Sequence, residues 1–453
     1  MQTATISYQA LRFSRAIALY AITISMVLIT APMHDAAAVK SFSMDSITLL
    51  WSSKEEHNAM TIGICWSPDG KYVACSFYDA AVVIWDAVSA VPVKKLRIPG
   101  PRIDSGVEPV DLLTHTNKFE TVTYGFPYKP SIDCDWPEEG DNASYLPVRC
   151  VAWSPDGQYL AAGSDDTNVT IFDTKDWSLW KILSEHEGSV LTVDWSPDGK
   201  YIASGSGTDN IDPHNTETPE NMIKIWDVAA GKRIANLTGH KDSVQCVRWS
   251  PDGKHIASAS DNMDKTVKLW NAADPNNATN VLNMTGHTLG TLCVGWSPDG
   301  KTIVSGSRDF TIRFWYSYNG TQFKMFRANN CIRSVSYHPS GKYIAASGPA
   351  ESMMSVWNVS SGAKREFTES EAARSTVYNC AWSKDGMKIA ASSGREHIIR
   401  VYGITDTEVA GQGQTPPWLP GTLLFLAVSI SVSAAVLYFG KIKRIATWRR
   451  RTR

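Results

Sequence analysis

The phrase Trp-Ser-Pro-Asp-Gly occurs five times in this chain of 453 residues, at Trp66, Trp153, Trp195, Trp249 and Trp296. Two further copies have drifted, to Tyr337-His338-Pro339-Ser340-Gly341 and Trp382-Ser383-Lys384-Asp385-Gly386. Successive copies begin 87, 42, 54, 47, 41 and 45 residues apart. A sustained period of this size means that one supersecondary unit is stacked on itself, each copy burying the face its neighbour cannot bury alone. Each unit reads alike. A β-rich run such as residues 189–195 leads into the phrase. Ser-Pro-Asp-Gly is a tight turn, with Pro fixing φ and Gly supplying the permissive position. A second strand follows, as at residues 201–204, and then a third that closes on Trp-Asp or a variant. Those closing pairs are Trp85-Asp86, Phe172-Asp173, Trp226-Asp227, Trp270-Asn271, Trp315-Tyr316, Trp357-Asn358 and Tyr402-Gly403. A fourth strand runs toward Gly-His, as in residues 232–240. Eleven of the 17 Trp fall at the two repeat positions, so their number is a consequence of the repeat.

These residues resemble the WD40 repeat family over about residues 46–403. The resemblance implies an all-β fold, a seven-bladed WD40 β-propeller of four-stranded sheets. It also implies a structural tetrad joining a His, a hydroxyl, an Asp and the closing Trp. The fullest matches are His240, Ser258, Asp264, Trp270 and His287, Ser305, Asp309, Trp315. Blade 1 has His57, Asp79 and Trp85 but Cys75 at the hydroxyl position, and blade 3 has His186, Ser204 and Trp226 but Glu220 for Asp. Blades 6 and 7 carry Glu351 and Glu396 there and lack the His. These departures predict looser blades. Blade 7 ends at its third strand, while residues 46–51 read as a fourth strand with no preceding three. The N-terminal strand is therefore expected to complete blade 7 and to remove an edge that invites aggregation.

Apolar segments bracket the repeats. Arg12 and Arg15 precede the apolar residues 16–32, and Ala36-Ala37-Ala38 follows. This pattern reads as a signal peptide over residues 1–38 or, at the lower edge of spanning length, an N-terminal anchor. Residues 422–439 carry no charge, Trp418 and Tyr438 flank them, and seven Lys or Arg lie in residues 441–453. That is the pattern of a transmembrane α-helix at 421–440 after a linker at 404–420, with a basic cytoplasmic tail at 441–453. The propeller, residues 39–403, is then expected outside the cytoplasm in a single-pass protein of the cell membrane. The formal charge of −1 conceals a value of −9 for the stretch between the two basic ends. An acidic propeller excludes a dedicated nucleic-acid binder. Asn-x-Ser/Thr sequons at Asn142, Asn168, Asn236, Asn277, Asn283, Asn319 and Asn358 fit a glycosylated ectodomain.

Two insertions, at about 98–147 and 207–221, fall on the face opposite the Ser-Pro-Asp-Gly turns. The first holds Phe119, Tyr124, Phe126, Tyr128, Trp136 and Tyr145. Exposed aromatics of this kind anchor interfaces, or else they pack the insertion onto its blade. The acids Asp133, Asp135, Glu138, Glu139 and Asp141 match no calcium-loop spacing. Cys150, Cys246 and Cys293 share a register three before the blade Trp and read as small buried hydrophobes, while Cys134 is the cysteine best placed for a disulfide. Residues 295–302 match the P-loop pattern, but the repeat makes them a hairpin turn rather than a strand-to-helix cradle. No catalytic, cofactor or metal motif remains. The expected function is a non-enzymatic scaffold or adaptor that binds protein partners through the top face. The alternative is a propeller enzyme, or a receptor for a small molecule or glycan, with its site on that face or in the central funnel.

Overall fold

The computed structural model describes residues 43–53, 59–99, 146–207, 220–348, 354–367, 377–394 and 397–404. These form seven four-stranded antiparallel sheets, each a meander in chain order except the last. Blade 4 shows the unit, with strands Val244–Trp249, His255–Ser260, Val267–Asn271 and Thr279–Met284. The first strands of the seven blades are Thr61–Trp66, Val148–Trp153, Ser189–Trp195, Val244–Trp249, Thr291–Trp296, Ser334–Tyr337 and Val377–Trp382. Each touches the first strand of the next blade, and that of blade 7 touches that of blade 1, so these strands surround a common axis and the ring closes. Blade 7 takes its outer strand, Ile47–Ser52, from the N-terminal side of the chain, paired antiparallel with Ile398–Ile404. Ile47 is buried in the core of that blade.

The repeated phrase folds the lower end of each blade through its own side chains. In blade 4 the Ser250 hydroxyl donates to Asp252 Oδ1 at 2.6 Å and accepts the His255 N–H at 2.9 Å. Asp252 Oδ1 also accepts the Lys254 N–H at 3.0 Å. The turn glycine has φ near 70° in all seven blades, from 69° at Gly253 to 76° at Gly157, where a Cβ is strained. At three seams the blade Trp bridges the blades. Trp66, Trp195 and Trp296 donate their indole N–H to Ala381, Ala152 and Arg248, in each case a carbonyl of the preceding blade, at 3.0–3.1 Å. The closing Trp85, Trp226, Trp270 and Trp315 are among the most completely buried side chains.

Some expectations shift. Gly207 belongs to the second strand of blade 3, Tyr201–Gly207, rather than to the insertion. The third strand of blade 7 runs to Ile404. Residues 297–301 are the turn between two strands, so the P-loop match has no helix after it. No helix among the described residues is long and apolar enough to cross a membrane. The signal or anchor segment 1–38, the linker 404–420 beyond Ile404, the helix 421–440, the tail 441–453 and the insertion residues 100–145 lie outside the described residues.

Candidate functional site

Three layers of polar side chains run through the ring, and each has a periodic origin in the sequence. The first is the tetrad. In blade 4 the His240 Nδ1 lies 2.7 Å from Asp264 Oδ2 and its Nε2 lies 2.7 Å from Ser258 Oγ. Trp270 Nε1 donates to the same hydroxyl at 2.8 Å. A carboxylate only accepts, so Nδ1 carries the imidazole proton and Nε2 accepts from Ser258. The chain of donation therefore runs Trp270 to Ser258 to His240 to Asp264. Blade 5 repeats it, with His287 Nδ1 at 3.0 Å from Asp309, Nε2 at 2.8 Å from Ser305, and Trp315 donating to Ser305 at 2.8 Å. Burial lowers the affinity of His240 and His287 for a second proton, against the pull of their carboxylates. Burial also pushes Asp264 and Asp309 up, but His240 and His287, together with the Thr266 and Thr311 hydroxyls and the Lys241 and Thr288 N–H groups, outweigh it and hold both far below the usual carboxylate range.

Blade 3 corrects the expectation of looseness. Glu220 Oε2 lies 3.1 Å from His186 Nδ1, while His186 Nε2 and Trp226 Nε1 both meet Ser204 Oγ at 2.7 Å. The longer side chain also reaches Lys224 Nζ with its second oxygen at 2.5 Å, in a fully buried ion pair. In blade 6 the departure has a consequence. Ala346 replaces the hydroxyl, Trp357 Nε1 turns to Ser355 at 2.8 Å, and a water-sized gap opens between Cys331, Ile332, Ala346 and Trp357. His57, Glu351 and Glu396 lie outside the described residues.

The second layer is a girdle around the axis, set by the residue three before the blade Trp. Cys150 donates to Val190 O, Cys246 to Val294 O and Cys293 to Ile332 O, at 3.7–3.9 Å, each acceptor on the next blade. At the same register Thr192 Oγ1 accepts the Val247 N–H at 3.1 Å, and Ser334 donates to Cys380 O at 3.3 Å. These cysteines are thus seam bonds as well as small apolar groups. Burial pushes the Cys150 thiol up to about 12 and Cys293 well above its ordinary value, so they stay protonated donors. No disulfide joins any two described cysteines, and Cys134 lies outside the described residues. Two residues lower on the same strands, Asp194 Oδ2 accepts the Trp249 N–H at 2.7 Å and Ser336 Oγ the Trp382 N–H at 3.1 Å. Burial raises Asp194 to about 6, against the nearby Arg248 guanidinium.

The third layer is the upper rim, opposite the turns, and it went unread in the sequence. It is built from residues four before and twelve after the blade Trp. Arg149 makes a two-point ion pair with Asp165, both bonds 2.7 Å, and its guanidinium lies 5.8 Å from the Tyr78 ring of blade 1. Arg308 of blade 5 makes a two-point pair with Asp261 of blade 4 at 3.1 Å, and Gln245 donates to the same carboxylate at 3.2 Å. Arg333 of blade 6 stacks over the Tyr378 ring of blade 7 at 5.2 Å. Beside this polar rim Met263 is 75% exposed and Leu289 41% exposed. A fixed rim of paired charges flanking exposed apolar tips is a surface suited to a protein partner. Among the described residues no group of three or more His, Cys, Asp or Glu is placed to hold a metal. The candidate partner residues Phe119, Tyr124, Phe126, Tyr128, Trp136 and Tyr145 lie outside the described residues.

Comparison with known proteins agrees with this geometry. The family profile described as WD40: WD domain, G-beta repeat matches residues 48–86, 140–173, 177–227, 231–271, 278–316 and 320–358, together more than half of the chain. The matched ranges run from residue 48 to residue 358, and blade 7 is assembled from the two ends of the repeat region. The chain is similar to the Nuclear distribution protein PAC1 of Coccidioides posadasii, 26% identical over 348 residues, covering 64% of this chain and 69% of that protein. It is similar to the WD repeat-containing protein slp1 of Schizosaccharomyces pombe, 25% identical over 58% of this chain and 51% of that protein. The Apoptotic protease-activating factor 1 of Danio rerio is 23% identical over 46% of this chain, which spans only 12% of that protein.

Proposed function

Because the chain belongs to the WD domain, G-beta repeat family, we propose that it is a non-enzymatic scaffold that docks protein partners on the upper rim of its propeller. The carrying observation is that side chains of neighbouring blades meet across the seams there, Arg149 over the Tyr78 ring and Arg308 on Asp261, the latter pair on the blades that carry the exposed Met263 and Leu289. Pre-fixed charges and bare apolar tips cost little to order on binding. We further propose that the propeller stands outside the cytoplasm, held by residues 421–440 with the basic tail 441–453 inside. The uncharged run at 422–439 and the seven cations that follow it support this reading.

The test compares full-length chains by the proteins that co-purify with them from native membranes. Met263→Asp together with Leu289→Asp should abolish capture of a set that the lower-face change Tyr318→Asp retains, Tyr318 being 75% exposed at the other end of blade 5. Equal capture by all three chains removes the rim from the proposal. Protease added to intact cells should degrade the propeller, and protection until the membrane is opened would refute its placement.

A further inference from the structure

The folded blades leave the sequons in different chemical states. Asn236 and Asn283 occupy the same register near the ends of the fourth strands of blades 3 and 4, Lys232–Leu237 and Thr279–Met284. Each begins an Asn-x-Thr-Gly-His phrase, so the sequon is fused to the repeat at its His. Asn236, Thr238, Asn283 and Thr285 are all exposed. In both places a neighbouring cation holds the amide oxygen. Arg233 donates to Asn236 Oδ1 at 3.2 Å and Lys268 Nζ to Asn283 Oδ1 at 2.7 Å. Neither Nδ2 makes a hydrogen bond among the described residues, while the oxygen of each exposed side chain is held. Asn319, in the turn between the third and fourth strands of blade 5, is the same case. It is exposed, its Oδ1 accepts the Thr321 N–H at 2.9 Å, and its Nδ2 is unbonded among the described residues.

The contrast is Asn168, at the start of the third strand of blade 2, Asn168–Asp173. Its Nδ2 donates to Asp166 O at 3.0 Å, and the next two residues of the sequon, Val169 and Thr170, are 0% exposed. A sugar there would have to pull the strand from the sheet. Asn277 has its Nδ2 tied to Asp274 Oδ2 at 2.6 Å.

We propose that Asn236, Asn283 and Asn319 are N-glycosylation sites and that Asn168 is not. The proposal rests on the extracytoplasmic placement. The co-reactant is a lipid-linked oligosaccharyl pyrophosphate. The asparagine Nδ2 forms the new bond to the anomeric carbon of the sugar, the bond from that carbon to the pyrophosphate oxygen breaks, the lipid pyrophosphate leaves with its electron pair, and the nitrogen gives up one proton to a base of the transferase. Bulky hydrated sugars on three consecutive blades cover one sector of the circumference. On blades 3 and 4 they sit on the outer strand itself, where they block pairing of an open sheet edge with another chain.

The full chain is produced in a eukaryotic secretory host, and its sequons are mapped by enzymatic deglycosylation in isotopically heavy water. The expected result is label at Asn236, Asn283 and Asn319 and none at Asn168. Thr238→Ala, Thr285→Ala and Thr321→Ala should each remove one step of gel mobility. Label at Asn168, or its absence from Asn236 and Asn283 while other sequons carry it, overturns the assignment and leaves the placement standing. Absence of label everywhere overturns the assignment alone if protease reaches the propeller on intact cells. If protease does not reach it, the placement fails and the assignment with it.

Discussion

Glu220 does with one extra methylene what Asp264 and Asp309 do in the neighbouring blades, and gains a second partner by it. Its Oε2 meets His186 at 3.1 Å while Oε1 holds Lys224 at 2.5 Å, both side chains 3% exposed in the ion pair. Burial pushes the Glu220 carboxyl up, but the bonds from His186 and Lys224 bring it down to about 2. The two kinds of tetrad should therefore respond differently to loss of one group. Ser258→Ala leaves His240 Nε2 and Trp270 Nε1 without their shared hydroxyl, at a cost of about 2 kcal/mol for buried groups left unpaired. Glu220→Gln keeps the shape but leaves the buried Lys224 ammonium with the Glu185 carbonyl and no counter-charge, and breaking such a buried pair costs about 3 kcal/mol or more. Urea unfolding followed by tryptophan fluorescence should place the Glu220→Gln midpoint below that of Ser258→Ala. The reverse order would mean that the Glu185 carbonyl is enough to hold the Lys224 ammonium without the Glu220 charge. The substitution was visible in the sequence, but the compensating Lys224 was not, because i to i+4 across the end of an insertion has no fixed geometry before folding.

At the scale of elements the sequence was most legible where one short phrase does all its own bonding. Ser250 and Asp252 close their turn through contacts two and five residues apart, so residue type and order were enough to read it. The girdle and the rim were harder, because their partners are a blade away. Cys246 reaches Val294, and Arg308 reaches Asp261, 47 residues apart, and only the shared register before and after the blade Trp signals them. The closing strand lies between these cases. Its pairing joins Ile47 to Ile404 across the whole repeat region, yet an orphan fourth strand and an orphan triplet were enough to match them. Ile47 is 1% exposed, packed with Met354, Phe367 and Tyr402. Ile47→Ala should cost about 3 kcal/mol by cavity formation. Ile47→Asp should go further and release the strand, exposing the edge of Ile398–Ile404 to other chains. Size-exclusion chromatography with light scattering should then show higher oligomers for the Asp variant and a destabilised but unaggregated Ala variant. An unaggregated Asp variant would mean that the edge is protected without its fourth strand.

For the whole ring, stability carries a proton dependence to which the tetrads of three blades and one seam contribute. At the sixth turn His338 replaces the repeat's Ser. Its Nδ1 accepts the Ser340 N–H at 3.0 Å, so its Nε2 carries the proton and donates to Gly386 O of blade 7 at 3.1 Å, edge-on to the Trp382 ring at 4.7 Å. A second proton would have to go on Nδ1 and turn the Ser340 N–H away. Burial lowers the proton affinity of His338, against the Gly386 carbonyl and Asp385, and it lowers that of His186, His240 and His287 as well. Each folded-state value lies below the ordinary 6.5, so below that pH the unfolded chain binds more protons than the folded one. Stability is then full above about 6.5 and declines as the solution is acidified through and below it. Asp194, raised to about 6 from 3.8, and Asp242, also raised by burial, act in the opposite sense, but they are two groups against four imidazoles. Asp264, Asp309 and Glu220, all lowered, add their loss only in stronger acid. The urea midpoint should therefore be flat from pH 8 to 7 and fall between pH 6.5 and 5. His338→Ser, which restores the hydroxyl of the other turns, should fall less steeply over the same range, with a cost of about 1 kcal/mol at pH 8 for the lost bond to Gly386. Parallel curves for the two proteins would show that the blade 6–7 seam does not open when His338 gains its proton. A midpoint unchanged between pH 7 and 5 would remove the three tetrad imidazoles from the stability of the ring as well.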